Sequence, residues 1–219
     1  MMPKFLCRAL VFVILAAVSA AVSAAGHDAE KVVVMFGDSL TAGYGLPATD
    51  SVPARLEEEL RAMGVAAKVV NAGVSGDTTT GGRARLEWVL AGAADGRPDL
   101  VILELGANDA LRGLDPKVTR DNLDAMLRHL ASRNIPVLLS GMYAPPNMGA
   151  EYGDAFNRIY PELAEEHSVA FDPFFLEGVA ARPELNQADG MHPNAEGAAL
   201  VAKRLAPVIA DLLREGAPR

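Results

Sequence analysis

Residues 32–41 read Val-Val-Val-Met-Phe-Gly-Asp-Ser-Leu-Thr, and this stretch decides the fold of the 219-residue chain. The run from Val32 to Phe36 is apolar and largely β-branched, which predicts a strand buried on both faces, as in parallel sheets. Gly37 ends the run, and Ser39 follows where the chain leaves the sheet. In open α/β folds ligands bind at that carboxyl edge. Taken alone, Ser39 has two interpretations: the N-cap of a helix, for which serine is favoured, or a nucleophile.

The first 25 residues have the pattern of a secretory signal peptide. Lys4 and Arg8 precede an apolar segment over residues 9–22, and small residues follow at positions 23–25. The apolar segment is alanine-rich and short for a membrane span. We expect cleavage after residue 24 or 25, a single domain over residues 26–219, no membrane span in the processed chain, and a periplasmic or secreted location.

Charge and cysteine content exclude several classes of protein. The whole chain has 20 basic and 28 acidic residues, and removing Lys4 and Arg8 leaves 18 against 28, a net charge of −10. Nucleic acid is therefore not an expected partner. The single cysteine, Cys7, lies in the signal segment, so the processed chain has no disulfide and no thiol nucleophile. No His and carboxylate spacing resembles a metal site such as H-E-x-x-H, so we expect no metal or cofactor. We also expect a monomer.

Strand and helix patterns alternate along the rest of the chain, without a long linker or repeat. This alternation predicts a three-layer α/β domain with a mostly parallel sheet. Further strands are predicted over residues 65–70, 100–105, 135–139 and 169–171, and helices over residues 51–63, 83–90, 117–132, 151–166 and 193–213. Polar, glycine-bearing loops follow the first three strands and should meet at one edge of the sheet.

Of the four histidines, one has a setting that suits acid–base chemistry. His27, His129 and His167 lie at the processed N-terminus or late in predicted helices and have structural explanations. His192 ends the sequence Asp-Gly-Met-His, in which Asp189 can turn back to the imidazole Nδ1–H while Nε2 faces a nucleophile. The alternative is a turn capped by Asp189 that leaves an exposed histidine.

Acyl transfer also needs hydrogen-bond donors for the oxyanion. Gly76 can offer a backbone N–H from a polar loop, and Asn108, directly after the third predicted strand, can offer a side-chain amide. Each has an ordinary alternative, a plain turn at Gly76 and an Asn-Asp turn at residues 108–109. The combination of nucleophile, base, acid and donors favours acyl transfer more than any of its parts does.

Four segments together resemble the sequence blocks of the SGNH (GDSL) hydrolases. They are Gly-Asp-Ser-Leu at 37–40, Gly76, Gly-Ala-Asn-Asp at 106–109 and Asp-Gly-Met-His at 189–192, in the family's order. Residues 43–46, 71–79 and 155–161 further resemble the exported bacterial group of multifunctional acyl-CoA thioesterases, lysophospholipases and arylesterases.

This resemblance implies a flavodoxin-like α/β/α fold, with five parallel strands in the order 2-1-3-4-5 and the site at their carboxyl edge. It implies that Ser39 is the nucleophile, His192 the base and Asp189 its partner. It also implies an oxyanion hole built from the Ser39 N–H, the Gly76 N–H and the Asn108 amide.

Two loops are candidates for substrate binding. The glycine-rich loop over residues 41–50 contains Tyr44 and is interpreted as closing over a substrate. The resemblance to the SGNH family also implies that the loop at residues 141–152 contacts the acyl chain, and the alternative is a plain surface connection. The candidate residues there are Met142, Tyr143, Pro145 and Pro146.

The sequence therefore predicts an exported, cofactor-independent serine esterase that acts on small esters, acyl thioesters or lysophospholipids. Two alternatives remain: a carbohydrate ester deacetylase on the same scaffold, and a catalytically inactive, lipid-binding relative. The presence of Ser39, Asn108 and His192 argues against the inactive relative.

Overall fold

A computed structural model of the chain describes residues 30–93 and 96–215, and the predicted signal segment lies outside the described residues. The strands are β1 (Lys31–Gly37), β2 (Ala67–Gly73), β3 (Leu100–Glu104), β4 (Val137–Ser140) and β5 (Ala170–Asp172). The α-helices are α1 (Ser39–Ala42), α2 (Val52–Ala62), α3 (Thr79–Gly92), α4 (Ala107–Leu111), α5 (Pro116–Ser132), α6 (Ala150–Asn157), α7 (Ile159–His167) and α8 (Ala195–Glu215). None of the helices in these two ranges is both long and apolar enough to cross a membrane.

The five strands pair in parallel in the order β2-β1-β3-β4-β5, which confirms the predicted sheet. β1 lies between β2 and β3, and its residues from Val33 to Phe36 are fully buried, as their apolar run predicts. α2 packs against α8, and α5 packs against both α3 and α7, so helices cover the sheet. The carboxyl ends of β1 and β3 therefore lie side by side at one edge.

Gly37 is required where β1 ends. A Cβ at this position would overlap Thr41 Oγ1 and the Glu104 carboxyl group, and would lie 2.7 Å from the Glu104 backbone oxygen. Only glycine lets the end of β1 pack this closely against β3. This close packing fixes the point at which the chain turns into α1.

β2 and α3 are both longer than their predicted bounds. β2 runs to Gly73 instead of residue 70 because residues 71–73 continue to pair with the end of β1. α3 begins at Thr79 instead of residue 83, and Thr78 Oγ1 accepts the Gly81 N–H at 3.3 Å as its N-cap. The sequence does not predict this start of α3, because glycine is unfavourable in the interior of a helix and residues 81 and 82 are both glycine.

The single helix predicted over residues 151–166 is in fact two helices. α6 ends at Asn157 and α7 begins at Ile159, with Arg158 between them. In a continuous helix Pro161 would lack a needed N–H and its ring would clash with the carbonyl four residues earlier. The break places Pro161 in the first turn of α7, where no N–H is needed.

α4 occupies the segment for which an Asn-Asp turn was the alternative, and that alternative is wrong. Gly106 precedes the helix with φ +122°, and a Cβ there would overlap the Tyr160 hydroxyl. The buried Asp109 carboxylate anchors α4, since it accepts the Thr79 N–H at 2.8 Å and the Thr119 hydroxyl at 3.2 Å.

Candidate active site

Ser39 lies at the carboxyl edge of the sheet, two residues after the end of β1, and is the first residue of α1. The N-cap of α1 is Asp38, whose Oδ1 accepts the Leu40 N–H at 2.9 Å. The N-cap interpretation of Ser39 is therefore wrong. Its side chain takes part in a different contact.

Ser39 Oγ lies 2.9 Å from His192 Nε2, and His192 Nδ1 lies 2.6 Å from Asp189 Oδ2. Asp189 Oδ1 also accepts the backbone N–H groups of Met191, at 2.9 Å, and His192, at 3.0 Å. The His192 N–H, followed by the Met191 N–H, lowers the pKa of Asp189 to about 2. Asp189 is therefore ionised at neutral pH, which favours the histidine tautomer with its proton on Nδ1.

The loop that carries Asp189 and His192 is tied to the Tyr44 loop by Gln187. The Gln187 N–H donates to the His192 carbonyl at 2.8 Å, and its side-chain amide donates to the carbonyls of Tyr44, at 2.6 Å, and Pro193, at 2.9 Å. The Tyr44 ring lies beside the imidazole, with 4.6 Å between ring centroids. These contacts orient the imidazole toward Ser39.

The three candidate oxyanion donors differ in what they bind. Within the described residues, neither the Ser39 N–H nor the Gly76 N–H donates to another protein group. The Asn108 amide donates to Asp38 Oδ2 and to the Asp77 carbonyl, both at 3.0 Å. To accept a hydrogen bond from Asn108, an oxyanion would have to share one of these N–H groups with its present acceptor or replace that acceptor.

Two buried carboxyl groups, those of Asp38 and Glu104, lie next to each other beside Ser39. Glu104 Oε2 accepts the Thr41 hydroxyl at 2.8 Å and the Asp38 N–H at 3.4 Å, while Glu104 Oε1 has no hydrogen-bond partner in the described part of the chain. Burial raises the pKa of Asp38 to about 6. Burial and then the charge of Asp38 raise the pKa of Glu104 well above its usual range. Glu104 therefore keeps its proton to a higher pH than an ordinary carboxyl group.

A cavity of about 310 Å³ opens beside Ser39 and His192. Of the predicted substrate-binding residues, Met142, Tyr143 and Pro145 line this cavity, whereas Pro146 and Tyr44 do not. Most of the remaining wall is apolar and comes from Leu40, Leu111, Leu176, Ala180, Ala181 and Met191. A cavity with such a wall suits an acyl chain.

The sequence analysis did not identify several of these wall residues. Leu176 and Ala180 fall between β5 and Asp189, in a segment without regular periodicity, so no pattern indicates which side chains point inward. Leu111 and Met191 are different, because Leu111 lies two residues after the motif at 106–109 and Met191 lies inside the motif at 189–192. Because Leu111 and Met191 lie close to Asn108 and His192 in the sequence, their position at the site could have been predicted.

No group of three or more His, Cys, Asp or Glu side chains within residues 30–93 and 96–215 is arranged to hold a metal ion. The site instead brings together a hydroxyl, an imidazole, a carboxylate and the unengaged N–H of Ser39, while Gly76 does not line the cavity. Such a set suits nucleophilic acyl transfer.

Comparison with known proteins gives a consistent result. The chain matches the GDSL-like Lipase/Acylhydrolase family over residues 35–200. It is 44% identical over 184 residues to the arylesterase of Vibrio mimicus, a match that covers 84% of this chain and 90% of the relative. It is 38% identical over 185 residues to thioesterase 1/protease 1/lysophospholipase L1 of Escherichia coli K12, covering 83% and 86% of the two chains. The crystal structure of AlinE4, an SGNH-hydrolase family esterase, matches with a TM-score of 0.71 and 49% identity, over 84% of this chain and 97% of that one.

Proposed function

Since the chain belongs to the GDSL-like lipase/acylhydrolase, or SGNH hydrolase, family of ester-bond hydrolases, we propose that it hydrolyses carboxylic esters and acyl thioesters through an acyl-enzyme on Ser39. The observation that carries this proposal is the continuous hydrogen-bond chain from Ser39 through His192 to Asp189 at an apolar cavity. The names of the relatives, which include arylesterase, thioesterase and lysophospholipase, support this range of acyl substrates.

In the acylation step, Ser39 Oγ forms a bond to the acyl carbonyl carbon while His192 Nε2 takes the hydroxyl proton. The carbonyl electron pair moves onto oxygen, which gives a tetrahedral oxyanion. Ionised Asp189 stabilises the imidazolium that results. His192 then donates its proton to the leaving alkoxide or thiolate as the C–O or C–S bond breaks, and the acyl group remains on Ser39.

Deacylation repeats these steps with water as the nucleophile. His192 takes a proton from water as the water oxygen bonds to the acyl carbon of the ester on Ser39. When the second tetrahedral intermediate collapses, the Ser39 oxygen leaves and regains its proton from His192. The carboxylic acid product departs, and the enzyme returns to its starting state.

The unengaged donors stabilise the charge that develops on the carbonyl oxygen. The Ser39 and Gly76 N–H groups have no protein acceptor among the described residues, so the oxyanion competes with no existing bond there. Asn108 contributes a third donor by shifting an N–H from the neutral Asp77 carbonyl to the charged oxygen, which is the stronger acceptor.

The wall of the cavity and the N-terminal sequence support two further parts of the proposal. The side chains of Leu111, Met142 and Leu176 favour an acyl chain over the polar ring of a carbohydrate ester. The signal-peptide pattern of residues 1–25 supports export, so the enzyme would act in the periplasm or outside the cell, as a monomer.

The proposal is tested with p-nitrophenyl esters from acetate to decanoate, an acyl thioester of matching chain length, and Ser39→Ala as the control. We expect the wild type to turn over both esters and thioesters, and Ser39→Ala to turn over neither. A carbohydrate deacetylase would release acetate from acetylated sugars and leave the longer acyl esters intact. Turnover by Ser39→Ala equal to that of the wild type, or no turnover by the wild type, would contradict the proposal.

A further inference from the structure

The loop over residues 74–78, here named the Gly76 loop, is held from one side by α4. Asn108, near the start of α4, donates to the Asp77 carbonyl at 3.0 Å, and Arg112, its C-cap, donates from Nη2 to the Gly76 carbonyl at 2.7 Å. Residues four apart in a helix face the same way. α4 therefore binds two successive carbonyls of the loop that carries a candidate oxyanion donor.

Gly76 needs such an anchor because little else restrains it. Its φ is +81°, a conformation that glycine adopts and leaves easily. A Cβ built at Gly76 would find one neighbour within 4 Å, Arg112 Nη2 at 3.7 Å, so no packed side chains surround the residue. Hydrogen bonds from the Val74 N–H to the Gly37 carbonyl and from the Asp77 N–H to the Val74 carbonyl hold the rest of the loop, both at 3.0 Å.

We propose that Arg112 is a positioning residue: its guanidinium holds the Gly76 carbonyl, which restrains φ and ψ of Gly76 and so keeps the Gly76 N–H aimed at the oxyanion. The inference rests on the proposed esterase function and adds to it a residue outside the cavity. Arg112 does not line the cavity, so it acts through Gly76 and not on the substrate. The bond is charge-assisted and short, which makes it stronger than a neutral hydrogen bond.

The expected consequence concerns the transition state. A donor contributes to catalysis only if it is already in place when the negative charge develops. Without Arg112 the Gly76 carbonyl loses this bond, so φ and ψ of Gly76 are less restrained and each turnover would have to reorder the Gly76 N–H. The loss should therefore appear in kcat and not in KM, because the ground-state ester carries no full charge for Gly76 to stabilise.

The first test compares Arg112→Met, Arg112→Lys and the matched control Arg61→Met. Arg61 is also an exposed helical arginine, but it donates to Glu57 at 2.9 Å on α2. We expect Arg112→Met to lower kcat by about 10- to 100-fold with KM nearly unchanged, because misplacing a catalytic donor costs up to about 100-fold. Arg112→Lys keeps the charge and one donor and should lie in between. Arg61→Met should match the wild type, and all four proteins should have the same urea midpoint.

The second test uses an alkyl trifluoromethyl ketone, which bonds to Ser39 Oγ and forms a tetrahedral adduct with a negatively charged oxygen. Its inhibition constant should rise in Arg112→Met by the same factor by which kcat/KM falls. Wild-type kcat and undiminished inhibition in Arg112→Met would overturn the inference. A urea midpoint that falls together with activity would assign Arg112 to the fold and would overturn it as well. Failure of the proposed function gives a different result, an inactive wild type.

Discussion

The two halves of the site are held in different ways. What is here called the buried half consists of the buried Asp38 and Glu104 and the half-buried Asn108 around Ser39, and it lies at the ends of β1 and β3. The exposed half is the loop of residues 187–192 before α8, and hydrogen bonds within that loop hold Asp189 and His192. One bond across the halves, between Ser39 Oγ and His192 Nε2, completes the site.

This difference indicates a division of tasks. Under the proposed function the oxyanion needs donors that do not move, and the buried half should supply two of them, the Ser39 N–H and the Asn108 amide, from α1 and α4 directly after β1 and β3. In the proposed mechanism His192 donates a proton to the leaving group and takes one from water. The exposed half, which carries His192, is the half that solvent water can reach. Substitutions of the closely packed groups in the buried half should therefore cost more stability than substitutions in the exposed half.

The largest expected effect comes from breaking the bond that joins the halves. Ser39→Ala and His192→Ala should each lower kcat by about a millionfold, and the double variant should lose no more than either single variant, because the two act as a unit. Neither side chain is fully buried, so the urea midpoints should stay close to that of the wild type. Effects on kcat that multiply in the double variant would show that the two residues work independently.

The next largest effect is expected for a substitution of Asn108, which belongs to the buried half. Asn108→Ala should lower kcat by about 100- to 1,000-fold, or 2.7–4 kcal/mol, with KM nearly unchanged. The Asn108 amide also binds Asp38 and the Asp77 carbonyl, so the variant should lose about 1–3 kcal/mol of stability. Asn71→Ala is the control, since that amide also donates to a backbone carbonyl, at 3.3 Å, but on the exposed edge. Near wild-type kcat in Asn108→Ala would remove Asn108 from the oxyanion site.

Substituting one glycine at the end of β1 and one in the exposed half compares how tightly the two halves are packed. Gly37→Ala forces a methyl group into Thr41 and Glu104 and should cost about 3 kcal/mol, the upper part of the range for overpacking. Gly190→Ala meets no atom within 4 Å, and its φ of +70° should cost only about 1 kcal/mol. Urea unfolding of both variants measures the difference. Equal losses would mean that the β1–β3 junction is no more tightly packed than the exposed loop.

The smallest effect is the pH dependence of stability, which should have opposite signs in the two halves. Burial raises the pKa of Glu104, so the folded state holds its proton more tightly than the unfolded state, and stability is lost as pH rises through that pKa. Glu104→Gln should flatten this decline in the urea midpoint as the pH rises above about 4.5, the ordinary pKa of a glutamate.

Asp189 should behave in the opposite way. Its pKa is lowered from 3.8 to about 2, so its contribution to stability is present above pH 3.8 and lost as the pH falls through about 2. Asp189→Asn should therefore leave the decline above about pH 4.5 as it is in the wild type. A decline that Glu104→Gln does not change would show that Glu104 does not control stability there.

Much of the architecture could be predicted because it depends on local patterns. The apolar run before Ser39 and the alternation of strands and helices are sufficient for a parallel α/β sheet. The strand order came from the family resemblance, because periodicity does not specify which strands are neighbours. The break at Arg158 and the start of α3 were missed, since Pro161 and two glycines compete with the helical pattern and packing decides the outcome.

For the candidate site, sequence spacing predicts a contact between residues that are close in the chain but not the contacts between distant residues. Asp189 and His192 are three residues apart, and this spacing predicts that their side chains meet. The two side chains do lie in contact. Sequence spacing could not show that Asn108 binds Asp38 or that Arg112 binds Gly76, because those pairs are 70 and 36 residues apart. Such contacts follow from strand order and the short helix α4, which carries little signal of its own.

The claim that Ser39 is the nucleophile activated by His192 is tested most directly by covalent labelling. A fluorophosphonate should add one phosphonyl group per wild-type chain, and peptide mass spectrometry should place that group on Ser39. Ser39→Ala should remain unlabelled, and His192→Ala should be labelled far more slowly. Labelling of Ser39→Ala at the wild-type rate, or a phosphonyl group on another residue of the wild type, would contradict the assignment.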